Sequence, residues 1–166
     1  MFRKRKVAYV SGTRADFGPM IPVLKAISQS KKLKLLLYAT GMHLMPEFGK
    51  TIKKVKKEFK YCRIVNAVFK RYDINGMADF TADFLKKVIQ VLKKDRPDIA
   101  LLSGDRPEML CVAVACLYLG IPVGHIHGGE KTFTVDEVAR HAITKMSHIH
   151  FVATEESAKR IERMGE

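Results

Sequence analysis

Six short apolar runs, separated by stretches with helical periodicity, constrain this 166-residue chain more than any other feature. Lys6 to Ser11 (KVAYVS) is a β-branched and aromatic run closed by Gly12. Residues 19–28 follow with Met20, Val23, Leu24 and Ile27 at helical spacing. The alternation recurs in KLLLYAT then MPEFGKTIKKVKKEF, in PDIALLSG then EMLCVAVACLYLG, in IPVGHIH then VDEVARHAITKM, and in HIHFVAT then EESAKRIERMG. A weak strand near residues 62–65 and a long helix over 77–94, striped by Phe80, Phe84, Val88 and Val91, complete the count. Strands that read as continuous apolar runs, each followed by a helix, predict a parallel sheet covered on both faces. The expected fold is α/β, a doubly wound, Rossmann-like single domain over residues 1–166, with strand order beginning 3-2-1-4-5. Gly165 stands where a helix C-terminus belongs.

Composition narrows the setting. A hydrophobic fraction of 47% is enough for one domain with a sizeable core. Cys62, Cys111 and Cys116 form no CxxC pair, which predicts core thiols in a reducing, cytoplasmic environment. The longest apolar run, MLCVAVACLYLG, is about twelve residues where a membrane span needs about twenty, so no membrane partner is expected. The helix it predicts, Met109 to Leu119, suits either the core or an interface. The net charge of +13 suggests an anionic partner without choosing one. The lysines of KTIKKVKKEFK fill the face opposite Ile52, Val55 and Phe59, which is a solvated helix face. Nucleic acid is not expected, because arginines and aromatics are not interleaved along a groove and no named nucleic-acid motif occurs.

In open α/β sheets ligands bind beyond the carboxyl ends of the strands, and four loops there carry polar residues. Gly12-Thr13-Arg14-Ala15-Asp16-Phe17-Gly18 is neither GxGxxG nor a Walker A loop. Its glycines admit close backbone approach, and Arg14 suits a phosphate or sugar hydroxyl; a plain turn capped by Asp16 fits equally well. In Gly104-Asp105-Arg106-Pro107-Glu108, Asp105 and Glu108 match a capping box, or else Asp105 is a proton acceptor at the crevice floor. His125 and His127 of HIHGGE stand at i and i+2 of a strand, where both can reach a metal, support structure, or line a ligand loop. The further ligand candidates Glu130, Asp136 and His141 show no recognised spacing, so no metal is expected. Thr134 with Glu137 reads as a capping box, and Asp136 with Arg140 as an i,i+4 pair.

Taken in order, GTRADFG, GDRPEML, HIHGGE and VDEVARHAITKMSHIHFVATEESAKRIERMGE resemble the UDP-N-acetylglucosamine 2-epimerases. The match is to the hydrolysing branch that releases N-acetylmannosamine for sialic-acid synthesis. The resemblance spans essentially the whole chain and implies the first of two Rossmann-like domains in a GT-B arrangement. The UDP-holding second domain, with its catalytic histidine, has no counterpart in this sequence. The implied chemistry is anti elimination of UDP to 2-acetamidoglucal, then addition of water with inversion at C2. By motif position, Asp105, Asp136 and His127 take catalytic roles, with Glu137 the neighbouring alternative to Asp136, and several relatives have a glutamate where His127 stands. Gly12, Arg14, Glu130, Arg140 and His141 take substrate-binding roles. The expected partners are UDP-N-acetylglucosamine, a separate C-terminal half, and further copies of the chain in a homo-oligomer, with no cofactor. The other class of function is a stand-alone sugar-nucleotide-binding module without turnover.

Overall fold

The computed structural model describes residues 3–166. Its elements run β1 (Arg5–Ser11), α1 (Arg14–Gln29), β2 (Leu33–Ala39), α2 (Ile52–Glu58), β3 (Arg63–Ile64), α3 (Ile74–Asp95), β4 (Ile99–Ser103), α4 (Pro107–Leu119), β5 (Val123–Ile126), α5 (Val135–Lys145), β6 (Ile149–Phe151) and α6 (Glu155–Arg163). The six strands form one parallel sheet in the order β3-β2-β1-β4-β5-β6. The order reverses beside β1, between β1 and β4, and this is where a doubly wound sheet opens its crevice.

Strand alternation divides the core. On β1, Ala8 and Val10 join one apolar cluster with Phe80, Phe84, Val88 and Leu92 of α3 and most of α4. Val7 and Tyr9 face the other way, onto Phe17, Met20 and Leu24 of α1 and Val55 of α2. Full burial of a side chain such as Phe84 contributes about 1.5–3 kcal/mol, so the i,i+4 stripe of α3 anchors the first layer. All three cysteines are buried and free. The lysine-rich helix buries Ile52 and Val55 and leaves its lysines in solvent. In α4 the core claims Met109, Val112, Ala113 and Cys116, while Leu117 and Tyr118 point outward. Among the described residues, no helix is long and apolar enough to cross a membrane.

Three element boundaries differ from the periodicity reading. Helix α1 starts at Arg14 rather than residue 19, because a capping box fixes its first turn upstream and carries Pro19 and Pro22 into the helix interior. Residues 45–59 are not one helix: short 3-10 turns at Gly41–Leu44 and Pro46–Phe48 precede α2, and Gly49 adopts the left-handed conformation that ends the second. Helix α3 begins at Ile74, capped by Asp73, whose side chain accepts from the Gly76 amide at 2.6 Å. Its stripe ends on Leu92, fully buried, with Val91 only partly covered.

Candidate functional site

The loops after β1, β4 and β5 leave adjacent strands at the same end of the sheet. In the first, Thr13 rather than Asp16 caps α1: its hydroxyl accepts from the Ala15 and Asp16 amides. Asp16 closes the box from the third helical position, accepting from the amides of Gly12 at 3.1 Å and Thr13 at 2.7 Å. Arg14 is thereby left exposed on the first turn of a 16-residue helix, where its guanidinium and the helix dipole favour an anion, while the amides of Gly12, Thr13, Ala15 and Asp16 are engaged within the capping box. It lines a cavity of about 400 Å³ with Met42, Phe48 and Thr51.

Beneath this turn lie His43, which motif reading passed over, and Glu108, which it gave only a capping role. His43 is fully buried, its Nε2 2.8 Å from Ser11 Oγ and its Nδ1 2.7 Å from Thr51 Oγ1. Burial holds its pKa below the usual imidazole value. Glu108 has a side chain with no solvent exposure; Arg106 Nε donates to its Oε2 at 3.2 Å, and Oε1 has no partner. Burial pushes its carboxyl above the usual range, against the pull of Arg106. The sequence signal for a buried Glu108 was glycine: SGT after β1 and TGMH after β2 place Gly12 and Gly41 where its carboxyl needs room.

The second loop is no capping box. Arg106 occupies the cap position of α4 without a side-chain bond, and Pro107 starts the helix, needing no amide partner. Asp105 instead pairs with Arg140 of α5, whose guanidinium is almost wholly buried. That long-range pair takes the place of the expected Asp136–Arg140 pair along α5. Arg140 also donates to the Glu130 carbonyl at 2.9 Å.

His125 and His127 do not share a face. Strand β5 ends at Ile126, and His127 turns out of it with φ +63°, a left-handed conformation rare outside glycine. His125 is buried, its ring nitrogens 2.8 Å from the Gly104 carbonyl and 3.2 Å from Thr144 Oγ1. Burial lowers its pKa to about 4. It is a structural tie between β4, β5 and α5. His127 is half-exposed, with Nδ1 3.0 Å from Glu130 Oε1. Adding one equivalent of zinc should therefore leave both the thermal midpoint and the His125 ring resonances unchanged; stoichiometric zinc on both imidazoles would overturn this geometry.

In the fourth loop, Thr134 sits at the cap position of α5 but makes no side-chain cap bond. Glu137 folds back to accept from the amides of Thr132 at 2.7 Å and Phe133 at 2.8 Å, which lowers its pKa. Its other oxygen lies 3.7 Å from His141 Nε2. Phe133, at φ +54°, is the second left-handed non-glycine in this loop, and such strain clusters at ligand clamps and active sites. Asp136 is exposed beside it. The structure thus joins Asp105, Arg140, Glu130 and His127 in one line of contacts and Glu137 with His141 in another. The polar contacts of Asp105 run to Arg140, and not to Arg14 or Asp136.

The fold is a doubly wound α/β domain, and the loops that carry these polar residues leave adjacent strands at one end of its sheet. The family model described as UDP-N-acetylglucosamine 2-epimerase matches residues 25–166, and the chain belongs to this family. It is 47% identical to a UDP-N,N'-diacetylbacillosamine 2-epimerase (hydrolyzing) of Legionella pneumophila, over 98% of this chain and 43% of that protein. It is 38% identical to a GDP/UDP-N,N'-diacetylbacillosamine 2-epimerase (hydrolyzing) of Campylobacter jejuni, again over 98% and 43%. The crystal structure of a UDP-GlcNAc 2-epimerase from Neisseria meningitidis, bound to UDP-GlcNAc, superposes with a TM-score of 0.80 at 24% identity, over 97% of this chain and 44% of that one. The chain therefore spans less than half the length of the relatives it matches.

Proposed function

We propose that this chain supplies the sugar-side half of a hydrolysing 2-epimerase acting on a UDP-linked 2-acetamido sugar. A base removes the C2 proton, the C1–O bond to UDP breaks to give the glycal, and water then adds: hydroxide to C1 and a proton to the opposite face of C2. The observation that carries this reading is the contact line Asp105–Arg140–Glu130–His127, which fixes a carboxylate and an imidazole over neighbouring strands. With Nδ1 held by Glu130, the Nε2 of His127 is free to carry a proton between substrate and solvent. Asp105 is the second proton-transfer group, and the exposed Asp136 and adjacent Glu137 complete the carboxylate set. Arg14, helped by the α1 dipole, receives the pyrophosphate and stabilises its departing charge, and Gly12 lets the ligand come close to the backbone. Arg140 and His141 hold the sugar-side loops. The exposed Phe133, Val135 and Val138 beside this site form an apolar surface suited to a second domain closing the cleft. The substrate is taken to be UDP-N,N'-diacetylbacillosamine, the sugar named for the two relatives above, ahead of the UDP-N-acetylglucosamine that yields N-acetylmannosamine. A cytoplasmic, homo-oligomeric enzyme fits this chemistry.

The test is a chimera in which this chain replaces the matching N-terminal part of the Legionella relative. In deuterated, oxygen-18 water it should release UDP and the free C2 epimer, with deuterium at C2 and the heavy oxygen at C1, faster with the diacetylated substrate. The 166-residue chain alone should be nearly inactive. A folded chimera that releases no UDP would refute the reading. A product still joined to UDP would refute its hydrolytic part, and robust turnover by the chain alone would refute the need for a second half.

A further inference from the structure

Glu108 is a fully buried carboxyl with one oxygen unpartnered among the described residues, on the first turn of α4 and outside the contact line described above. Its surroundings are built to its shape. A methyl group placed on Gly12 would stand 2.6 Å from the carboxyl carbon of Glu108, and one on Gly41 would stand 2.8 Å from its Oε1. Real side chains do not approach so closely, so a side chain at either position would force the buried carboxyl out of the space it fills. Gly41 carries φ +57°, a conformation that itself favours glycine. The two turns are further locked together: the Gly12 carbonyl accepts from the His43 amide at 3.2 Å, and the Thr40 amide donates to the Ser11 carbonyl at 3.0 Å. Glu108 thus wedges the β1 and β2 turns from below, reaching them from the helix that follows Asp105.

We propose that Glu108 is a positioning residue that sets the β1–α1 turn, and with it Arg14, at the height at which the guanidinium meets the anionic part of the substrate. The side chain has no exposure and touches no reacting atom; it acts through the backbone of Gly12 and Gly41. The substrate side of this inference rests on the proposed epimerase reading, whereas the wedge itself does not. Shape is the operative property, since a glutamine keeps the volume and the acceptor facing Arg106.

Two readouts test it in the chimera. Amide hydrogen exchange without ligand should quicken about tenfold at residues 12–16 and 41–43 in Glu108→Ala and stay unchanged elsewhere, the mark of a local opening. In steady-state assays the same variant should raise KM about tenfold with kcat within about twofold, the pattern of lost binding geometry rather than lost chemistry. Glu108→Gln should restore both. If Glu108→Ala fails to fold, the contact is tested from its other side: Gly12→Ala should be impaired more than the Gly12→Ala, Glu108→Ala double variant, in which the added methyl has room. Unchanged exchange at both turns would overturn the wedge. A glutamine variant as impaired as the alanine one would show that charge is the operative property, and a fall in kcat at constant KM would place Glu108 in the chemistry; either result overturns the proposal. A chimera without turnover would refute the epimerase reading, while the exchange measurement would still decide whether Glu108 holds the turns.

Discussion

Replacing Asp105 with asparagine in the chimera is expected to lower turnover by at least about 10²-fold, the scale of a lost proton-transfer group. Asparagine keeps the size of the side chain and one acceptor oxygen toward Arg140. The change therefore removes the charge and the basicity while leaving most of the loop in place. Part of the effect falls on Arg140, whose buried guanidinium loses its counter-charge. Urea unfolding of the same variant separates the two consequences. A fold of nearly wild-type stability with the expected loss of turnover assigns Asp105 to the chemistry. Near-full activity with an intact fold would leave it only the task of holding Arg140.

Acid should weaken the domain through His125. Burial sets its folded-state pKa at about 4, below the usual imidazole value of 6.5. Above pH 6.5 neither state carries the proton, and the stabilisation by the neutral, hydrogen-bonded ring is fully present. As pH falls from 6.5 to 4, the unfolded chain takes up a proton that the folded chain does not, and stability is lost. The gap corresponds to about 3 kcal/mol at full development. His43, also shifted downward by burial, adds to the loss in the same direction. Urea midpoints between pH 7.5 and 4.5 should fall steeply for the wild-type chain and less steeply for His125→Asn, which carries no titrating ring. Parallel pH profiles for the two proteins would remove His125 as the cause.

The alternation of strands and helices was legible because buried parallel strands are apolar on both faces and leave uninterrupted runs such as Ile99–Ser103. The family motifs likewise pointed to the strand-end loops, and the order 3-2-1-4-5 continues to β6 as the sixth strand. Side-chain partners were legible only where they were local. The Thr13–Asp16 box could have been read from its spacing, but the same spacing suggested boxes at Asp105–Glu108 and Thr134–Glu137 that do not form. In the first of these the carboxylates are claimed over long range, Asp105 by Arg140, 35 residues away, and Glu108 by the space under Gly12 and Gly41, whereas Glu137 turns to the nearby amides of Thr132 and Phe133. Arg140 illustrates the general case. Its neighbour one helical turn back offered an exposed ion pair worth a few tenths of a kcal/mol, and the partly buried Asp105 on the neighbouring strand end prevailed. His127 left its strand because the chain bends at Ile126, a backbone event that alternation does not encode.

Strand β6 closes the described sheet with a bare margin. Its three residues pair with β5 on one side only. Ile149 and Phe151 are both about half exposed, and neither a proline nor a lysine interrupts the strand. A margin of this kind is a template for another strand, whether from the same polypeptide or from a stranger. Three residues offer a stranger few backbone bonds, so the brevity of the margin is its own guard against edge-to-edge clumping, and lengthening it with apolar residues is the change that would remove that guard.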